Sequence, residues 1–285
     1  MQAAEPIEFR RARDFSEVLN DTFEFIRQNF KRLVKDLLLI AGPFVLLSAL
    51  LGLYLQSKAA SFDPESFNFD AFFAQVPDWI AFFLTILLAM VAVCLVVYEF
   101  LILTMNKGTG GFQTEEVWQA VKKDFARLFF TYIGIFIVLV LAFLLLFIPG
   151  VYMFVILSIL PFVRLYEGGS FFSSLSRSRQ LVSGHWWPTL GLILVLSIID
   201  MVCSFILDLP RTILGIIVLL GGDHTAGLGE HPFLTAILTL ISSLGYFTSA
   251  IVVIGITFQF FSLVEKKEAA GLLDKVESLG QNEVE

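Results

Sequence analysis

Asp200 lies deep inside an uncharged run that begins at Trp186. A carboxylate near a bilayer centre costs about 3 kcal/mol on insertion scales, so it is a functional candidate by default. It could serve as a proton or ion site, or as a polar lock bonded to a neighbouring hydroxyl such as Ser204. Asp208, near the end of the same run, is expected to be solvated. Glu99 stands late in a second apolar run and Glu167 closes a fourth. Arg164, three residues before Glu167, falls close to one helix face. With Arg177 and Arg179 these residues suggest a charged floor, Glu99–Arg164–Glu167–Arg177–Arg179, that holds an inner helix to the bundle. Substrate binding by the same groups is the alternative.

Other chemistry finds little support. His224 and His231, with Asp223 and Glu230, share one loop. A metal would need three or four convergent ligands, and their spacing demands none. No metal and no cofactor is expected. Cys94 and Cys203 fall in apolar runs and read as small buried hydrophobes. There is no Walker loop, no Gly-x-Ser-x-Gly elbow and no His-Glu-x-x-His. The chain therefore reads as a non-enzyme. Its formal net charge of −7 gives no basic face for nucleic acid.

What must position Asp200 and the floor is a set of membrane helices. Of 285 residues, 57% are hydrophobic and 16% charged, against about 25% charged in a soluble domain. The apolar residues gather in runs near the roughly 20 residues needed to cross hydrocarbon. These are 37–55, 79–98 extended to 105, 128–148, 151–163, 186–207 and 233–264. Pro149-Gly150 predicts a tight hairpin tip between the third and fourth. The sixth is too long for an upright helix and must tilt or project. Ile213 to Leu220 is apolar but too short to span, and reads as interfacial or re-entrant, or as a short helix packed on the outer rim.

Basic residues set the orientation. With the N-terminus inside, only Lys58 and Arg211 of the 19 Lys and Arg fall outside. The reading is six spans, both termini cytoplasmic, in a bacterial inner membrane. The first spanning helix serves as the insertion signal, since no cleavable signal is apparent. By segment, 1–35 is a cytoplasmic amphipathic stretch, 36–264 the transmembrane domain, and 265–285 a polar cytoplasmic tail.

Three inner segments show helical spacing of apolar residues. The first carries Phe15, Val18, Leu19, Phe23, Ile26, Phe30 and Leu33, with Asp14 and Glu17 at capping-box spacing. The second carries Val117, Trp118, Val121, Phe125 and Leu128, with Thr114 as candidate N-cap. The third carries Phe171, Phe172, Leu175 and Val182, capped by Ser170 and ended by Gly184. Each precedes two spans, which suggests a threefold repeat over about 14–105, 112–167 and 170–264. Such helices meet lipid headgroups and offer a surface to a protein partner.

The stretch Pro149-Gly150-Val151-Tyr152, then Pro161, Glu167, Ser170, Arg177-Ser178, Leu181, Gly184 and Trp186-Trp187, follows a recurring pattern. It resembles the membrane domain of some bacterial glycerophosphoryl diester phosphodiesterases and related YciC-like membrane proteins. Residues 15–33, FSEVLNDTFEFIRQNFKRL, resemble that family's opening helix. The resemblance implies an all-α membrane bundle. It does not imply the phosphodiesterase activity, because the metal-dependent catalytic domain of those enzymes has no counterpart here. The expectation is a non-catalytic membrane protein acting as a scaffold, partner-binding or envelope-regulatory module. The alternative is a transporter of a small molecule, ion or lipid, with a cavity near Asp200 and Glu99.

Overall fold

The computed structural model describes residues 7–60, 69–221 and 231–268. Every regular element among them is helical. Helix α1 is Phe15–Asp36; a π-helical turn, Leu37–Ala41, joins it to α2, Gly42–Ala60. Then come α3 (Phe69–Lys107), α4 (Thr114–Leu145), α5 (Phe147–Tyr166), α6 (Phe171–Val182) and α7 (Trp186–Gly221). The last apolar run forms two helices, α8 (Pro232–Ser243) and α9 (Ala250–Glu268), separated by a 3-10 turn, Leu244–Phe247.

Six continuous helical stretches are long and apolar enough to cross a membrane: Phe15–Lys58, Phe72–Lys107, Thr114–Leu145, Phe147–Tyr166, Trp186–Val218 and Pro232–Glu268. Their outer faces are apolar. Leu144, Leu145 and Ile148 are each at least 76% exposed, and Ile198, Met201 and Phe205 form an exposed row on α7. So large an apolar surface is stable in lipid and not in water. The chain is thus a multi-pass, all-helical membrane protein.

The core forms where α3 meets α9. Val91 to Leu101 on α3 and Ile254 to Leu263 on α9 are buried around their whole circumference. α9 is the hub, touching α1, α3, α5, α6 and α7. Gly255 allows the close crossing with α7, since a Cβ there would stand 2.4 Å from Leu196 Cδ1. Phenylalanine fills the rest. Phe162 meets Phe260 and Phe261 edge-on at 5.0 and 5.6 Å, a geometry aromatic pairs favour.

The ends of the helices follow local chemistry. Asp14 and Glu17 form a reciprocal capping box at the start of α1, each side chain accepting from the other's N–H at 2.8 Å. Ser170 caps α6 by accepting from Ser173 N–H, and Gly184 follows that helix at φ +81°. Gln113, not Thr114, caps α4. Thr114 instead donates its hydroxyl to Asp36 at 2.6 Å, tying α4 to α1.

Three features depart from the sequence reading. The turn between α4 and α5 is made by Leu146, in extended backbone at φ −165°. Pro149 sits in the first turn of α5, where the missing N–H is no loss. Ile213 to Leu220 is not a separate piece; it continues α7 beyond Pro210. Finally, the overlong sixth run is interrupted by the 3-10 turn rather than accommodated by one tilted helix.

The N-terminal strand of chain is also more than a solvated leader. Residues 7–14 lie across the end of α9, and Arg13 is 1% exposed. Its guanidinium donates to Asp21 at 2.6 Å and to the carbonyls of Phe9, Arg11 and Glu8. It lies 5.0 Å from the centre of the Phe258 ring. The Arg13 backbone N–H and C=O both bond Ser262 Oγ at 2.9 Å. Burial draws the guanidinium pKa down, and the bond from Asp21 opposes that.

Candidate functional site: a cavity at an interrupted helix

An α-helix in hydrocarbon satisfies its own backbone, so an interruption survives only where protein or a lined cavity takes up the freed groups. Here the interruption at Leu244–Ser249 faces α7. Thr248 donates its hydroxyl to Asp200 Oδ1 at 2.5 Å. Ser204 and Thr248 share a hydrogen bond at 2.7 Å. The Gly245 carbonyl accepts from Thr248 N–H at 3.2 Å, which closes the turn. Asp200 and Ser204 therefore anchor the turn to α7 through the Thr248 hydroxyl.

Above this floor is a cavity of about 640 Å³. Four helices wall it, each with residues about one turn apart. α2 gives Ser48, Gly52 and Gln56, and α3 gives Phe82, Ile86 and Met90. α7 gives Asp200, Ser204, Asp208 and Arg211, while α8 gives Thr239, Ser242 and Ser243. Residues three and four apart share a helix face, so each set makes one stripe. Gly52 lets the Phe82 ring approach, since a Cβ there would stand 3.3 Å from it. Asp208 and Arg211 face each other at 4.0 Å on either side of Pro210 in α7.

Among the other sequence candidates, Glu99 does not line this cavity. It is 6% exposed on α3, and the charges acting on it are Asp124, Lys123 and Arg127 of α4. Arg164 donates to Thr131 Oγ1 at 2.7 Å. Arg177 binds Glu167 through Nε at 2.9 Å and Nη2 at 3.0 Å. It also binds Glu268, at the end of α9. Glu268 and then Glu167 hold the Arg177 guanidinium pKa above its usual range. Arg179 is exposed, with no ion pair among the described residues. The geometry thus joins Arg177 to Glu167 and leaves Glu99, Arg164 and Arg179 apart from them.

Sequence reasoning found Asp200 and missed its setting. The i, i+4, i+8 recurrence of Ser48, Gly52 and Gln56, and of Asp200, Ser204 and Asp208, was the available signal. Asp223, His224 and Glu230 lie outside the described residues, as do residues 269–285, Lys275 among them. Among the described residues no group of three His, Cys, Asp or Glu could hold a metal.

Compared with protein-family models, with curated proteins and with solved structures, the chain finds no match in any of the three.

Proposed function

We propose that this protein binds a small solute in the Asp200 cavity and carries it through the membrane. The observation behind this is the interrupted helix whose Thr248 hydroxyl meets the Asp200 carboxylate beside a roomy cavity. Interrupted helices in membrane proteins place polar backbone where a solute passes. The volume lies within the roughly 300–1,000 Å³ of small-molecule sites. On this reading the cavity opens to the outer side of a bacterial inner membrane and both termini are cytoplasmic. Lys58 and Arg211 then lie at the outer end and the other basic residues inside, as the positive-inside rule requires.

A second reading keeps the protein as a non-catalytic scaffold or envelope-regulatory module. Its support is the inner end. Phe23 and Phe30 of α1 and Phe172 of α6 are 41%, 57% and 77% exposed. On the repeat reading, α1, the start of α4 and α6 are three amphipathic segments at the headgroups, available to a protein partner. The resemblance to the phosphodiesterase membrane domains fits either reading.

Flux separates them. Proteoliposomes would be loaded with a panel of charged and neutral small solutes and their release followed. Transport predicts release of at least one solute class by wild type and its loss in Ser242→Phe, which fills the cavity. Thermal unfolding would confirm that the variant folds. Release of none, or release unchanged by Ser242→Phe and Asp200→Asn alike, would sink the transport reading.

A further inference from the structure

We propose that the ligand of this cavity is an organic primary ammonium carried on an apolar body; this rests on the cavity being a solute site. The argument is the direction of the hydroxyls. Ser48 donates to the Val45 carbonyl at 2.8 Å, Ser243 to Leu240 at 2.7 Å, and Ser249 to Tyr246 at 2.7 Å. Each spends its only proton on its own helix, so what it turns to the cavity is lone pairs. Asp200 uses Oδ1 for Thr248. Its Oδ2 has no hydrogen bond among the described residues. The lower cavity is therefore weighted towards acceptors.

A second observation shows that the wall has hydrogen-bonding capacity left to meet a ligand. Thr239 Oγ1 and Ser242 Oγ, both on the cavity wall, are buried without a hydrogen-bond partner among the described residues. Thr239 is only 8% exposed. A buried unmade hydrogen bond costs about 1–3 kcal/mol, so these groups are poised for something that enters. The donors of fixed charge lie at the mouth, where Arg211 already faces Asp208.

An acceptor-weighted base selects a cation that carries N–H groups. A –NH₃⁺ head has three donors for Asp200 Oδ2 and the neighbouring oxygens. A quaternary ammonium has none and an alcohol has one without charge. Size excludes a bare metal ion as the natural fit, because about 640 Å³ is far more than one ion fills. Phe82 and Ile86 on α3, with Met90 and Tyr246 nearer the base, give an apolar lining that suits an aromatic or aliphatic body, and its rings also favour cations.

The test uses the full chain in phosphatidylcholine nanodiscs, which lack primary amines. Binding of 2-phenylethylamine would be measured beside 2-phenylethanol and the trimethylammonium analogue. The expected result is at least tenfold tighter binding of the primary amine, reduced to parity by Asp200→Asn. Competition by added phosphatidylethanolamine would identify a lipid headgroup as the source of the amine, and its absence a free amine. Equal binding of all three ligands, lost in Ser242→Phe, would overturn the ammonium assignment and leave the cavity reading standing. Binding of the amine unaffected by both Ser242→Phe and Asp200→Asn, or no binding by any of the three, would overturn both.

Discussion

The hydroxyl of Thr248 reaches Asp200 Oδ1 at 2.5 Å, from the turn that divides α8 from α9 to the middle of α7. One hydrogen bond thus joins a membrane carboxylate to the only place where its facing segment leaves the α-helical path. Thr248→Val keeps the shape and removes the donor. In membrane bundles such bonds are worth about 0.6 kcal/mol on average and up to about 1.7. Because Thr248 also meets Ser204, a loss of about 1–2 kcal/mol is expected in unfolding from mixed micelles. Stability unchanged within error would show that the bond does not hold the turn.

Gly255 and Leu196 set the crossing of α9 on α7. Gly255→Ala puts a Cβ where Leu196 Cδ1 stands 2.4 Å away. Overpacking of this kind costs about 1–3 kcal/mol. The double variant Gly255→Ala, Leu196→Ala should recover part of that loss, giving a negative interaction energy in a double-mutant cycle. Strict additivity would mean that the two side chains do not compete for space.

Arg13 should be the most sensitive charge in the chain. Arg13→Ala leaves the carbonyls of Glu8, Phe9 and Arg11 without their donor, and Asp21 without its partner. Breaking a buried charge pair costs about 3–5 kcal/mol. Arg13→Lys should rescue little, because one ammonium cannot span the fork that a guanidinium does. Proteolysis near residue 10 and the thermal midpoint would report both effects. Full rescue by lysine would reduce the role of Arg13 to its charge.

Arg177→Gln should loosen α6 from α9 by about 1 kcal/mol, the scale of a partly exposed ion-pair network. The loss should shrink as salt is raised, since salt screens these pairs. A salt-independent effect would point to packing instead.

Topology can be read directly. Single cysteines at Pro64, Thr109 and His224, in a background lacking Cys94 and Cys203, should label outside, inside and outside. Labelling of Thr109 and Pro64 from the same side would remove the six-span orientation.

Much of the framework was readable from the chain because lipid imposes one crude rule. Runs of apolar residues and the positions of 19 basic residues were enough to place six spans. The caps at Asp14 and Ser170 were also legible, because capping is local chemistry. The break at Leu244–Ser249 was not. That segment has no proline and no charge; Gly245 is its only breaker, and the groups that bond the turn, Asp200 and Ser204, lie on another helix. The turn at Leu146 was hidden for a related reason: Pro149 is as acceptable in the first turn of a helix as in a hairpin tip. Several residues between Pro149 and Trp187 also have structural work to do. A Cβ on Gly150 would strike the Phe143 ring, Tyr152 stacks on Trp186, and Glu167 holds Arg177.

The N-terminal strap gives the protein a built-in division of labour. Arg13 and Ser262 clamp the lower half of the final membrane crossing to the first helix, while its upper half is attached through a turn stitched by a few hydroxyls. Motion should therefore be unequally shared, with a stationary root and a swinging upper arm beside the Asp200 cavity. Amide hydrogen exchange would register this as slow exchange at residues 254–263 and faster exchange at 244–249.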